Sequence, residues 1–170
     1  TTDAVLTPEQ ADAALRHATS LTFDRTDSDG CMSTNDTVFL LASGSSDVVP
    51  DLADFTASLT EVCASLAGQL LSDAEGSKHD IAVTVTGAAS ETDALEVARA
   101  IARSSLFKCA IFGNDPNWGR VLASAGTTRA TFRPEQVSVS FNGVEVFAHG
   151  GLGADRSLVD LSPRFVTVDV

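Results

Sequence analysis

The chain has 170 residues, of which 44% are hydrophobic and 20% charged, a composition typical of folded globular proteins. Its 23 acidic and 11 basic residues give a formal net charge of −12, which argues against nucleic-acid or anionic-membrane partners, because both require a basic surface. This length suits a single domain over residues 1–170, and no apolar run is long enough to span a bilayer.

The first predicted element is a helix that begins at a capping box. Thr7 suits the N-cap position, Pro8 the first helical position, and Gln10 the third, where its side chain can bond back to the cap. A stripe of small apolar residues follows, so we expect this helix to end near Ser20. Residues 21–23 are expected to be extended and to lead into a polar loop.

A buried strand and the longest helix are expected next. Residues 37–43 are mostly apolar and precede a Gly-Ser-Ser turn, which predicts a buried strand. Pro50 and Asp51 open a helix whose apolar residues recur at steps of three and four, and Gly76 is expected to end it. The apolar stripe of this helix consists of Leu52, Phe55, Leu59, Val62, Leu66 and Leu70.

The second half of the chain alternates strands with helices and then turns to strands. The expected elements are a strand at 81–86, a helix that starts at Ser90, a short helix after Asn117, a hairpin around Asn142-Gly143 and a last strand at 165–170. Helices that bury one face need a sheet to pack on, so a layered α/β domain is predicted. The last strand is expected to lie unclosed at a sheet edge and to need another chain.

Neither the cysteines nor the histidines have the spacing of metal ligands or of a disulfide framework. They are Cys31, Cys63, Cys109, His17, His79 and His149. We therefore predict no metal site and three buried thiols in a reducing, cytoplasmic compartment.

Thr1 stands where a newly translated protein has Met. If its α-amino group is free, one residue carries both a hydroxyl nucleophile and a base, the arrangement of N-terminal-nucleophile enzymes. An α-amino group titrates near pH ~7.7–8.0, so a neutral fraction is present at physiological pH. If the start has another origin, Thr1 is an ordinary terminal residue.

The segment Asp73-Ala74-Glu75-Gly76 is expected at the end of the longest helix. Carboxylates are disfavoured there by the negative end of the helix dipole. Two together indicate either a solvated helix end or a carboxylate placed to recognise a cation.

Five segments, in this order and at these intervals, resemble those of one known family. They are residues 1–4, 33–37, 73–76, 85–88 and 113–120. Over nearly its whole length the chain resembles the β-subunit of ornithine acetyltransferase, also called glutamate N-acetyltransferase. The resemblance implies a precursor that cuts itself before Thr1, and an α/β (α+β) fold of the N-terminal-nucleophile type, an αββα sandwich completed by the α chain.

The resemblance also implies a ping-pong transfer of acetyl from N-acetylornithine to glutamate, through an acetyl ester on Thr1. Glu75 matches the family's substrate-binding glutamate, and no cofactor is implied. The oxyanion-hole Thr-Gly pair and a substrate-binding Lys would come from the α chain, in an α2β2 or larger assembly that serves arginine biosynthesis. The family's β chain runs on to a further substrate-contacting segment, so a chain that stops at Val170 is expected to be incomplete.

Three alternatives stay open at this point. An N-terminal-nucleophile amidohydrolase or aminopeptidase of related architecture would pass the acyl group to water. The same acetyl transfer could serve a specialised-metabolite pathway, with or without acetyl-CoA as a second donor. In a non-enzymatic α/β interaction domain, Thr1 would have no catalytic role.

Overall fold

The computed structural model describes all residues, 1–170, as two compact units. The first unit comprises residues 1–26 and 32–74, and the second comprises residues 27–31 and 75–170. No helix of either unit is long and apolar enough to cross a membrane. The expectation of one domain over residues 1–170 stays a prediction.

The first unit contains helices α1 (Pro8–Leu21) and α2 (Leu52–Ser72), which pack against each other. The predicted capping box of α1 is confirmed: the Gln10 N–H donates to Thr7 Oγ1 at 3.2 Å, and the Thr7 N–H donates to Gln10 Oε1 at 2.9 Å. Ala14 and Ala18 are the buried residues of α1, and small side chains let two helices approach closely.

The extended segment predicted at 21–23 is wrong. Helix α1 runs to Leu21, and Phe23–Arg25 form a turn of 3₁₀-helix. The reason is Thr22, which continues the helical bonding: its N–H donates to Thr19 O and its hydroxyl donates to Ala18 O at 2.7 Å. The chain therefore stays coiled past the end of the apolar stripe.

Truncating Thr7 tests the capping box. Thr7→Ala should destabilise α1 by about 1 kcal/mol, because the Gln10 N–H loses its acceptor. Peptide-level hydrogen exchange of the full-length protein should show faster exchange in α1. Ser20→Ala is the matched control, since that exposed hydroxyl bonds only to His17 O at the other end of the helix. Equal effects of the two substitutions would contradict the capping role.

The start of α2 is as predicted, and its end is not. The Asp51 carboxylate caps the helix, accepting from the N–H groups of Ala53 at 2.9 Å and Asp54 at 3.0 Å. The helix ends at Ser72 with Asp73 as its C-cap, so Gly76 lies beyond it. The reason is local: the Asp73 N–H makes the last bond of helical spacing, to Gln69 O, and the Ala74 N–H then closes a tighter turn onto Leu71 O.

The buried strand predicted at 37–43 is also wrong. In this region the structure has only an isolated parallel bridge, between Thr2 and Ala42. Phe39 is 75% exposed and Leu41 is 60% exposed. The N-terminal segment is the only backbone that pairs here, so no sheet forms to cover these side chains.

The second unit is built on one mixed sheet with the strand order β1-β5-β2-β3-β4. The strands are β1 (Asp80–Thr84), β2 (Val139–Phe141), β3 (Val144–Ala148), β4 (Gly151–Leu152) and β5 (Phe165–Asp169). Strands β1 and β5 are parallel, and the other pairs are antiparallel. The prediction of an unclosed last strand is wrong, because β5 is paired on both sides, with Ile81 opposite Val166 and Phe141 opposite Val168.

The predicted hairpin between β2 and β3 is confirmed. Asn142 and Gly143 have φ angles of 47° and 81°, and a type I′ turn needs a positive φ at both positions. The Asn142 side chain also accepts from the Thr167 N–H at 2.8 Å and donates to Asp160 O at 2.7 Å. The turn residue thereby ties the hairpin to β5.

Three helices belong to the second unit: α3 (Glu91–Arg103), α4 (Ser105–Phe112) and α5 (Trp118–Ala125). The predicted caps of α3 and α5 are confirmed, with Ser90 Oγ accepting from the Asp93 N–H and Asn117 Oδ1 from the Arg120 N–H. Helix α4 was not predicted; Ser104 ends α3 and caps α4 at once.

The hydrophobic core of this unit combines α3, α4 and α5 with strands β2, β3 and β5. Together with the helices of the first unit this makes a mixed α/β chain of five helices and five strands, and the predicted fold class is confirmed at that level.

The expectation of three buried thiols is wrong for two of them. Cys63 is buried on α2, whereas Cys31 and Cys109 are exposed, and all three are free. Cys31 lies in an exposed polar loop, and Cys109 occupies the outer side of α4 between the buried residues Phe107 and Ile111. Burial raises the pKa of the Cys63 thiol, which keeps that thiol protonated.

Candidate functional site

Thr1 lies at an open cavity of about 650 Å³ in the first unit. The cavity is lined by Thr1, Thr2, Asp3, Leu41, Ala42 and Ser43. Two backbone bonds hold the segment that follows Thr1: the Thr2 N–H donates to Leu41 O at 2.8 Å, and the Ser43 N–H donates to Thr2 O at 3.1 Å. The anchored neighbours fix the position of Thr1 at the cavity wall.

The polar groups near Thr1 are hydroxyls and backbone atoms. Ser43 Oγ and Ser45 Oγ are 3.0 Å apart, and Ser46 Oγ donates to Asp3 O at 2.8 Å. Thr1 itself is exposed and its hydroxyl has no hydrogen-bond partner in the chain. No side-chain base contacts it, so a reaction at this hydroxyl would depend on a free α-amine or on a group from elsewhere.

Glu75 belongs to the second unit, in the connection between α2 and β1. It is exposed and makes no hydrogen bond or ion pair within the chain. Gly76 follows with a φ of +72° and open space around it. Because α2 already ends at Ser72, the helix dipole acts on Asp73 more than on Glu75. The Glu75 carboxylate is therefore available to a ligand because it has no partner within the chain, and not because of the helix dipole.

The structure places the two predicted site residues in different units, Thr1 in the first and Glu75 in the second. Each is exposed. No group of three His, Cys, Asp or Glu side chains is placed to hold a metal ion.

The predicted motif at 33–37 is a self-satisfied turn. Ser33 Oγ accepts from the N–H groups of Asn35 at 3.2 Å and Asp36 at 2.9 Å. This is the local side-chain-to-backbone bonding typical of Ser at the start of a turn. All five of its residues are exposed.

The motif at 113–120 joins three parts of the second unit. Asp115 accepts from Asn117 Nδ2 at 2.8 Å and from Arg156 at 3.2 Å. The Trp118 ring stacks on Phe147 of β3, with centroids 4.5 Å apart and an interplanar angle of 19°. The motif thus fixes the end of α4 and the start of α5 against the sheet.

One contact near Glu75 was not predicted. The Lys78 ammonium lies 4.5 Å from the centre of the Phe112 ring, a cation–π arrangement. Lys78 is three residues after Glu75, and Phe112 directly precedes the motif at 113–120. The contact therefore brings together two of the segments that carry the family resemblance. The sequence contains only one indication of this contact: Lys78 and Phe112 each lie next to one of the segments that resemble the family.

A buried ion cluster holds residues 27–31 to α3 and α4. The Asp27 side chain is 5% exposed and lies 2.7 Å from Arg103 Nε and 3.4 Å from Arg99 Nε. Lys108 Nζ donates to Ser28 O. Burial lowers the pKa of Lys108, and the neighbouring Asp27 and Asp29 carboxylates act against that shift. Asp27 Oδ2 and Arg99 Nε are buried without a hydrogen-bond partner, so Arg99 contributes its charge rather than a hydrogen bond. The cluster has a structural role.

The mixed α/β architecture agrees with the fold class that the sequence predicts. Residues 1–170 match the model of the ArgJ family over their whole length, so the chain belongs to the ArgJ family. The resemblance to ornithine acetyltransferase is thereby confirmed.

Individual relatives agree with this. The chain is 62% identical over 170 residues to the arginine biosynthesis bifunctional protein ArgJ of Thermobifida fusca, covering 100% of this chain and 44% of that protein. The identity to the protein of the same name from Mycobacterium tuberculosis is 51%, over 100% of this chain and 42% of that protein. The crystal structure of arginine biosynthesis bifunctional protein argJ from Bacillus halodurans superposes with a TM-score of 0.86 at 32% identity, covering 99% of this chain and 84% of that chain.

The chain spans less than half the length of these curated relatives.

Proposed function

We propose that the full-length protein is an ornithine acetyltransferase, which moves an acetyl group from N-acetylornithine to glutamate in arginine biosynthesis. The observation that carries this proposal is the family match over all 170 residues. The relatives' names place those proteins in arginine biosynthesis, and 62% identity supports the same reaction here.

The proposed chemistry is acyl transfer in two half-reactions. A threonine hydroxyl attacks the acetyl carbonyl, its proton passes to a base, and the tetrahedral intermediate collapses with ornithine as the leaving amine. The resulting acetyl ester is attacked by the amine of glutamate, which leaves as N-acetylglutamate and restores the hydroxyl. Donors placed at the oxyanion stabilise both tetrahedral intermediates, and one such donor is worth about 10²–10³ in rate.

Thr1 is our candidate for that threonine. Its exposed hydroxyl at an open cavity supports the assignment, because a nucleophile must be reachable by substrate. The assignment requires a free α-amine, which exists only if the full polypeptide is cut directly before Thr1. The relatives' greater length leaves room for residues on either side of this chain, so the cut has to be located by experiment.

We further propose that another part of the full polypeptide, the α chain, supplies the oxyanion donors and a substrate-binding Lys. An exposed apolar stripe on α2 supports this, since exposed apolar surface marks a contact site. Val62, Leu66 and Leu70 form the stripe, because they recur at four-residue steps along the helix and are each exposed. Phe39 and Leu41 of the same unit are exposed as well. The α chain would add the second sheet of an αββα sandwich, in a cytoplasmic α2β2 or larger assembly.

The word "bifunctional" in the relatives' names supports a second activity. We propose that acetyl-CoA also acetylates the enzyme, so that glutamate can be acetylated without N-acetylornithine.

The test uses the full-length protein with N-acetylornithine labelled in the acetyl group. With glutamate present, mass spectrometry should find the label in N-acetylglutamate and little in acetate. Release of most of the label as acetate would identify an amidohydrolase instead. A parallel reaction with glutamate and acetyl-CoA labelled in the acetyl group, but without N-acetylornithine, tests the second donor.

Glu75 is expected to bind the ammonium group of ornithine substrates. Glu75→Gln should raise KM for N-acetylornithine roughly tenfold, the loss of one charge-assisted bond, and leave the melting temperature nearly unchanged. Glu61→Gln is the matched control, since Glu61 is also exposed and has no partner in the chain. A large drop in melting temperature with normal kinetics would show that Glu75 has a structural role.

A further inference from the structure

We propose that Lys78 is a second substrate-binding residue, which binds the carboxylate of the amino-acid substrate while Glu75 binds the ammonium. The proposal rests on the proposed function, because it concerns the substrates of that reaction. In this proposal Phe112 is a positioning residue, because its ring holds the Lys78 ammonium in place.

The first argument is that neither charge is used within the chain. Glu75 and Lys78 are three residues apart and both exposed, yet they form no ion pair with each other or with any other side chain. Not every cation of the chain has a carboxylate partner, since Lys108 and Arg120 donate to backbone carbonyls instead. Other cations of the chain do have carboxylate partners: Arg16, Arg99, Arg103, Arg156 and Arg164.

The second argument is that Lys78 is held in place without being neutralised. Its ammonium lies 4.5 Å from the centre of the Phe112 ring, which attracts the cation but leaves its N–H donors free for an oxygen acceptor. Holding a flexible side chain in advance lowers the entropy cost of binding a ligand.

The third argument is that the backbone around Phe112, at the end of α4, is held in place. Phe112 is the last residue of α4, and the Asp115 side chain, three residues on, is bonded to both Asn117 and Arg156. The motif at 113–120 therefore stabilises the platform on which Lys78 rests. This gives the motif a role in substrate binding, although the side chains of Asp115 and Asn117 bond only within the chain.

The charges of the substrates match the pair. N-acetylornithine carries one ammonium and one carboxylate, whereas glutamate carries an α-amine and two carboxylates. The glutamate amine must lose its proton and attack the acetyl ester, so Glu75 should matter most for N-acetylornithine. Lys78 should matter for both half-reactions, because N-acetylornithine and glutamate each have a carboxylate.

The experiment measures kcat and KM of the full-length protein for both substrates. Lys78→Met should raise both KM values about ten- to hundredfold while kcat changes little, and Lys78→Arg should restore most of the affinity. Phe112→Leu should give a smaller rise in KM that Phe112→Tyr does not, because tyrosine keeps the ring face. Arg16→Gln removes the same charge from an exposed site on α1 and should change neither KM.

A second measurement does not depend on any variant. N-acetylornithine amide lacks the carboxylate, so the unaltered protein should bind it about ten- to hundredfold more weakly than N-acetylornithine in calorimetry. Equal binding of acid and amide, or unchanged KM values in a folded Lys78→Met protein, would overturn the role of Lys78 while acetyl transfer stands. Absence of acetyl transfer in the unaltered protein would instead overturn the proposed function.

Discussion

Phe141→Ala should destabilise the second unit by about 3–5 kcal/mol, the usual cost of emptying a buried phenylalanine site. Phe141 is 0% exposed in β2, where it pairs with Val144 of β3 on one side and Val168 of β5 on the other. Because β1 is paired only with β5, a loosened β5 should also loosen β1 and the segment with Glu75 and Lys78 before it.

Hydrogen exchange and urea unfolding of the full-length protein measure this effect. Phe141→Leu is the matched control: it keeps most of the volume and should cost less than about 1.5 kcal/mol. Exchange should become faster in β1, β2 and β5 with alanine and stay near normal with leucine. Equally small effects of both substitutions would mean that the Phe141 site can collapse, and that the sheet does not depend on this ring.

The predictions that held are those governed by neighbouring residues. Helix caps at Thr7, Asp51, Ser90 and Asn117 depend on a side chain and an N–H group two or three residues away, so short spacing is sufficient to recognise them. The hairpin at Asn142-Gly143 belongs to the same class, since its turn type depends on the φ angles of two adjacent residues.

The predictions that failed depend on what lies across the fold. An apolar pattern such as that of residues 37–43 tells which side chains favour burial but not which partner covers them, and Phe39 is exposed in this chain. The last strand, β5, is last in sequence and yet interior in the sheet, because strand order is set by pairing between distant segments.

The candidate site shows the same division. Thr1 and Glu75 were identified through the family resemblance, and the structure adds their surroundings: an open cavity at one and no internal partner at the other. The contact between Lys78 and Phe112 joins residues that are far apart in sequence, and it depends on how α4 packs in the second unit. Neither composition nor spacing could have predicted it.

Thr1→Ala is expected to have the largest effect on activity. If Thr1 is the nucleophile, alanine cannot form the acetyl ester, and loss of a nucleophile typically costs about 10⁴-fold or more in kcat. Thr1→Ser keeps a hydroxyl and should retain measurable transfer. Thr2→Ala is the positional control, because the Thr2 hydroxyl accepts only from the Ala4 N–H and the backbone pairing of Thr2 needs no side chain.

Mapping the acetyl group decides where the ester forms. The full-length protein is incubated with labelled N-acetylornithine without glutamate, quenched in acid and digested. The label should lie on a peptide that begins with Thr1, and that peptide should carry a free α-amine, since the proposed base is that amine. A Thr1 peptide joined to preceding residues would remove the base. Full activity of Thr1→Ala, with the label on a residue outside 1–170, would place the nucleophile elsewhere in the polypeptide and leave acetyl transfer itself intact.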